Sequence, residues 1–84
     1  MRDEFDLISS GIGKNWRRLV RHLGASDADV DTAWEQSRGD VREQIRTLLV
    51  MWQKKRGQEA SRDELMEALR KCDHNTLATK LEQI

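Results

Sequence analysis

Apolar residues along this chain recur at helical spacing and nowhere at the alternating spacing of a strand. The longest register runs Val41, Ile45, Leu48, Leu49 and Trp52, at i, i+4, i+7, i+8 and i+11. It draws one stripe down a single helix face. Gly57 closes that helix, and Ser61-Arg62-Asp63-Glu64 opens the next, which carries Leu65, Ala68 and Leu69. Upstream, Trp16, Leu19, Val20 and Leu23 follow the same logic.

Caps place the remaining boundaries. A first helix is predicted over Asp3 to Ser10 with Phe5 and Ile8 inward, ended by Gly11 and Gly13. A second spans Asn15 to Leu23, with Gly24 at the left-handed position past its end. Ser26, with Asp29 three residues on, predicts a capped third helix. Its inner face carries Val30, Ala33 and Ser37, with Trp34 on the flank. Arg38-Gly39 reads as a turn, and Asp40 with Glu43 caps the long fourth helix. Ser61 with Glu64 predicts a reciprocal capping box for the fifth. The sixth starts between Asp73 and Asn75 and presents Leu77, Ala78, Leu81 and Ile84. The expected core is Trp16, Leu19, Leu23, Val30, Ile45, Leu49, Trp52, Leu65 and Leu69, whereas Val50 and Met51 point away from the stripe. Short linkers make successive helices packed neighbours, so the expected architecture is an all-α, six-helix antiparallel bundle.

Length and composition narrow this further. Eighty-four residues are expected to form one domain, residues 1 to 84. There is no proline to break a helix. Fifteen basic and fifteen acidic residues cancel, which argues against a general nucleic-acid binder and favours separate charged patches that meet complementary patches on a protein. The single cysteine excludes an internal disulfide and fits a reducing, cytoplasmic setting. No apolar run is long enough for a membrane span, and the first residues do not read as a signal-peptide pattern, so none is expected.

Reaction chemistry finds no foothold. His22 and His74 lie on different helices, and Cys72 falls on the inner face of the fifth, where a small buried hydrophobe is expected. One cysteine and two histidines do not close a zinc site. Gly11-Ile12-Gly13-Lys14 lacks the strand and the Ser or Thr of a phosphate loop. No catalytic, cofactor or metal site is expected.

The charged faces are the candidate binding surfaces. Arg17, Arg18 and Arg21 oppose the apolar side of the second helix, and Asp27, Asp31 and Glu35 follow on the third. A solvated face accounts for such arginines, as does a nucleic-acid-reading helix, but adjacent acids repel phosphate. Arginine in place of lysine favours bidentate pairing with carboxylates. Lys54, Lys55 and Arg56 form a second basic patch, which the helix dipole alone would also explain. Trp34 is expected to pack at the edge of the core, with an interface anchor as the alternative.

These residues carry a resemblance. Gly13-Lys14-Asn15-Trp16-Arg17-Arg18-Leu19, Arg21 and Leu23, Ser26-Asp27, then Glu43, Arg46, Leu49, Trp52, Ala60, Leu65, Ala68-Leu69-Arg70, Cys72 and Asn75 together resemble a death domain of the death-fold superfamily, most like those of the Fas-associated death-domain adaptors. The resemblance runs from Gly13 to Leu81. It implies a non-catalytic adaptor that binds the death domain of an upstream receptor or adaptor in apoptotic or innate immune signalling, and that self-associates into an oligomer or filament. It further implies caspase recruitment through a death-effector domain that these residues do not include, as for an excised module. Receptor binding falls in the family on positions matching Arg17, Arg18, Arg21 and Asp27. Trp34, Asp29, Gly39 and Val50 depart from the vertebrate pattern and point to an invertebrate member. A receptor or kinase death domain is the nearest alternative, and a small nucleic-acid-binding helical domain a more distant one.

Overall fold

The chain forms six α-helices and no strand: α1 (Arg2–Gly11), α2 (Trp16–His22), α3 (Asp27–Ser37), α4 (Val41–Arg56), α5 (Arg62–Lys71) and α6 (Asn75–Glu82). This computed structural model describes all 84 residues. Single 3-10 turns precede α2 at Gly13–Asn15 and follow α4 at Gly57–Glu59. Side-chain caps open α3, α4 and α5, whereas α1, α2 and α6 begin without one. Ser26 and Asp29 form a reciprocal box, with Asp29 N–H donating to Ser26 Oγ at 3.1 Å and Ser26 N–H to Asp29 Oδ2 at 3.0 Å. Asp40 accepts from the Glu43 N–H at 3.2 Å.

The core lies around α4, which packs on α1, α2 and α3, while α5 and α6 pair and pack on α2 and α1 respectively. Phe5 and Ile8 come from α1, Leu19 and Val20 from α2, Ile45, Leu48, Leu49 and Trp52 from α4, Leu65 and Leu69 from α5, and Leu77 and Leu81 from α6, all buried. From α3 only Ala33 is fully buried. Its small side chain lets α3 lie close along α4, but it supplies little apolar area. Polar contacts make up part of the difference. The buried Gln44 side chain donates from Nε2 to the Val30 carbonyl at 3.3 Å, and Lys55 Nζ reaches Asp29 Oδ2 at 2.7 Å.

Several sequence expectations are corrected. Val41 begins the α4 stripe but is 44% exposed, because it lines an open cleft where the α1–α2 connection turns away. Ile84 lies beyond the end of α6 and is exposed. Leu23 and Val30 sit half-buried at the core's margin. Val50 and Met51, placed outside by the wheel, are half-buried against the core. The box predicted at Ser61 is one-sided: Ser61 Oγ accepts from the Glu64 N–H at 3.2 Å, but the Glu64 carboxylate is turned to Trp52 and Arg56 instead.

The packing sets a pair of stabilities that denaturant unfolding can measure. Leu49→Ala, at a fully buried position, should cost about 2–5 kcal/mol. Val41→Ala, at the opening of the same stripe, should change stability by no more than about 0.5 kcal/mol. Equal losses at the two positions would place Val41 inside the core.

Candidate protein interface

α2 is too short to persist alone, and its ends are fixed by its neighbours. The 3-10 turn leads into Trp16, and the C-terminus closes in a Schellman arrangement. Ala25 N–H donates to the Val20 carbonyl at 2.9 Å and Gly24 N–H to that of Arg21 at 3.0 Å, with Gly24 at φ 92°. With Trp16, Leu19 and Val20 inward, Arg17, Arg18, Arg21 and His22 are exposed.

The tight closure brings the C-terminal end of α2 against the capped start of α3. Arg21 Nη2 lies 3.5 Å from Asp27 Oδ1, and both side chains remain largely in solvent, 71% and 91% exposed. An ion pair that open contributes at most about 1 kcal/mol to folding, so these charges remain free to exchange partners. Arg17 stacks over the Trp16 ring, 5.1 Å from its centroid, an arrangement that holds the guanidinium without neutralising it. Arg17, Arg21, Asp27, Val30 and Asp31 line one shallow open depression. Arginines form one wall, carboxylates the other, and half-buried Val30 contributes an apolar surface.

Arg18 points to the other flank. It is near enough to Cys72 to oppose the burial that pushes the Cys72 thiol up. Asp31, Trp34 and Glu35 continue the outer face of α3 from Asp27. Trp34 is 47% exposed, which corrects the expectation of core packing; its ring edge rests by Gly39, where an added Cβ would meet it at 3.6 Å.

The basic run at the end of α4 divides. Lys55 is tied to Asp29, and Arg56 Nε to Glu64 Oε1 at 2.8 Å, with Glu59 at 3.4 Å from its Nη1. Only Lys54 projects without an ion pair. The sequence reading missed both ties because their partners lie on other helices, and a capping rule had already assigned Glu64 elsewhere.

Nothing in the geometry gathers reactive groups. No three His, Cys, Asp or Glu side chains converge on a metal-sized site. An apolar crevice among Val20, Leu23, Leu48, Met51 and Trp52 has room for about one water molecule. No helix is long and apolar enough to cross a membrane.

The chain matches the family model for the death domain over residues 2–84. It is 36% identical to the FAS-associated death domain protein of Bos taurus over 83 residues, 99% of this chain and 40% of that protein. Against the FAS-associated death domain protein of Homo sapiens it is 31% identical over 80 residues, 95% and 38% of the two chains. Against human ankyrin-1 it is 30% identical over 76 residues, 90% of this chain and 4% of that protein. The chain thus spans about two fifths of the length of the FAS-associated relatives.

The Asp29–Lys55 tie has a pH signature. The Lys55 ammonium, with the Ser26 backbone N–H, holds the Asp29 carboxyl below the ordinary aspartate range. A folded-state pKa below the unfolded value gives stability that is complete at neutral pH. That stability starts to fall near the ordinary value, about 3.9, and is lost below the folded value. Asp29→Asn keeps an acceptor for the Ser26 N–H but removes the charge. Thermal melts from pH 7 to acid should therefore start lower for this variant and converge on the wild type as pH falls. Parallel curves would assign the tie no role in stability.

Proposed function

Because the chain belongs to the death-domain family, a family of non-catalytic interaction modules, we propose that its 84 residues act as one homotypic docking domain of adaptor type. In this reading the domain binds the death domain of an upstream receptor or adaptor in the cytoplasm and passes the signal to caspase recruitment through a death-effector domain elsewhere in the protein. The relatives named for association with FAS make a FAS-type receptor death domain the first partner to test, in apoptotic or innate immune signalling.

The observation that carries the proposal is the bipolar corner of α2 and α3. Arg17 and Arg21 face Asp27 and Asp31 across one open depression, and the Arg21–Asp27 pair there is almost wholly solvated. A second death domain with its own carboxylates and arginines can replace these intramolecular partners, which favours a salt-sensitive polar interface. Arg18, Trp34, Glu35 and Lys54 are further exposed side chains that a partner can reach, whereas Lys55 and Arg56 are engaged in ties within the fold. The same carboxylates disfavour a nucleic-acid backbone, since they would repel phosphate at the place where the arginines would hold it. Because both signs occur on one copy, the domain is also expected to self-associate.

Light scattering on size-exclusion chromatography, at low and high salt, tests this directly. The chain mixed with a FAS-type death domain should give a complex of defined mass that weakens with salt. Arg21→Glu should abolish the complex while far-ultraviolet circular dichroism keeps its helical signal. A complex that survives the reversal would move the interface off this corner, and salt-dependent binding to duplex DNA would favour the nucleic-acid reading instead.

A further inference from the structure

α1 and α4 pack together through two matched rungs of polar side chains. Asp6 and Ser10 lie one turn apart on α1, and Arg46 and Arg42 one turn apart on α4. At the first rung the Arg46 guanidinium is bound by the Asp6 carboxylate. At the second, Arg42 Nη2 donates to Ser10 Oγ at 2.7 Å, so a neutral hydroxyl stands where the first rung has an anion. Arg42 has no carboxylate of its own, and neither has Lys14 across the adjoining cleft. That cleft is lined by Ser9, Ser10, Lys14, Trp16, Val41 and Arg42 among others, with no acidic side chain in its walls.

We propose that Ser10 is a phosphorylation site whose phosphoryl group completes this second rung, clamped by Arg42 and faced by Lys14. The alternative hydroxyl is excluded by its setting: Ser9 is buried and donates back to the Asp6 carbonyl at 3.2 Å. Ser10 is exposed and sits in the last turn of α1, just before the chain breaks at Gly13 with φ 62°, where a helix end opens to an enzyme at little cost. A protein kinase would supply the group from ATP. Ser10 Oγ forms the new bond to the γ-phosphorus, the bond from that phosphorus to the β,γ-bridging oxygen breaks, ADP leaves, and the hydroxyl proton passes to the kinase's base. The product carries about −1.5 to −2 charges near neutral pH, enough to cancel Lys14 and Arg42 and to close this cleft to an acidic partner.

The sign of the effect depends on the clamp. A phosphate at the C-terminal end of a helix faces its carbonyl ends and is unfavourable. Charge-assisted pairing with a guanidinium, bidentate where geometry allows, reverses that. The test installs phosphoserine at position 10 by codon reassignment, in the native chain and in Arg42→Gln. Thermal melts should rise by a few degrees on phosphorylation in the native chain and fall in Arg42→Gln. The second ionisation of the phosphate, followed by phosphorus NMR, should lie below its usual value of about 6 in the native chain and return to it in Arg42→Gln. Phosphopeptide mapping of the chain expressed in animal cells under phosphatase inhibition should find the group on Ser10. An unshifted ionisation, the same melting change in both backgrounds, or phosphate confined to other hydroxyls overturns the proposal.

Discussion

The bundle depends on where Trp52 can place both its ring and its N–H. The ring is buried against Phe5 of α1 in an edge-on contact, 6.4 Å between centroids at 69°, and also borders the crevice beside α2. Burying so large a ring is favourable, but leaving its one donor unpaired would cost about 1–3 kcal/mol. Glu64 Oε2 accepts that donor at 3.3 Å, and this fixes the start of α5 beside the last turns of α4. Arg56 then neutralises the same carboxylate from the other side. One side chain thus couples α1, α4 and α5, and the connection Gly57–Ser61 has to be long enough to bring Glu64 back.

Once α4 is committed to that role, the charges of the surface separate into two kinds. Four pairs between helices are fixed in place: Asp6 with Arg46, Glu4 with Arg62, Asp29 with Lys55, Glu64 with Arg56. The last three have carboxylates that are largely covered, 15%, 18% and 29% exposed, so they are screened less by salt than open pairs. Arg21 with Asp27 is the opposite case, open on both sides. A neutral net charge therefore conceals a division between tied and open pairs. Tied pairs hold a bundle whose third helix has little apolar anchorage, and the Arg21–Asp27 pair stays in solvent.

How much of this was legible in the sequence follows from what each rule measures. Caps are local, so Ser26 with Asp29 and Asp40 with Glu43 located the starts of α3 and α4 to within a residue. Helical period identifies a face but not how far the neighbouring helix extends along it. Val41 and Ile84 keep the period yet lie past the reach of their neighbours. Trp34 shows the same limit sideways: glycine at position 39 lets the turn approach one ring edge, and nothing covers the rest. Glu64 shows a competition that local rules cannot settle, since a return bond to its own N-cap was outweighed by a buried indole and a guanidinium from α4. The arginine-rich face of α2 was readable from its wheel, and its placement opposite Asp27 and Asp31 followed from Gly24 and the cap at Ser26. The partners of Lys55, Arg42 and Arg46 lie too far along the chain for any spacing rule.

The bipolar corner itself follows from helix electrostatics. A C-terminus favours cations and an N-terminus favours anions, and α2 ends with Arg21 and His22 while α3 begins with Asp27 and Asp29. Gly24 folds the chain so tightly that these two ends face each other at the surface. Opposite charges stabilising separate helices thereby become one patch of mixed sign, to which Arg17 and Asp31, outside those two ends, add. In the proposed homotypic reading, the arginine wall of one copy matches the carboxylate wall of the next. Because both walls belong to one patch, two copies related by a two-fold axis satisfy both at once, whereas a contact offset along the corner is heterologous and extends to rings or filaments according to whether the rotation closes. An assembly mode would then be written by the same rule that starts and stops its helices.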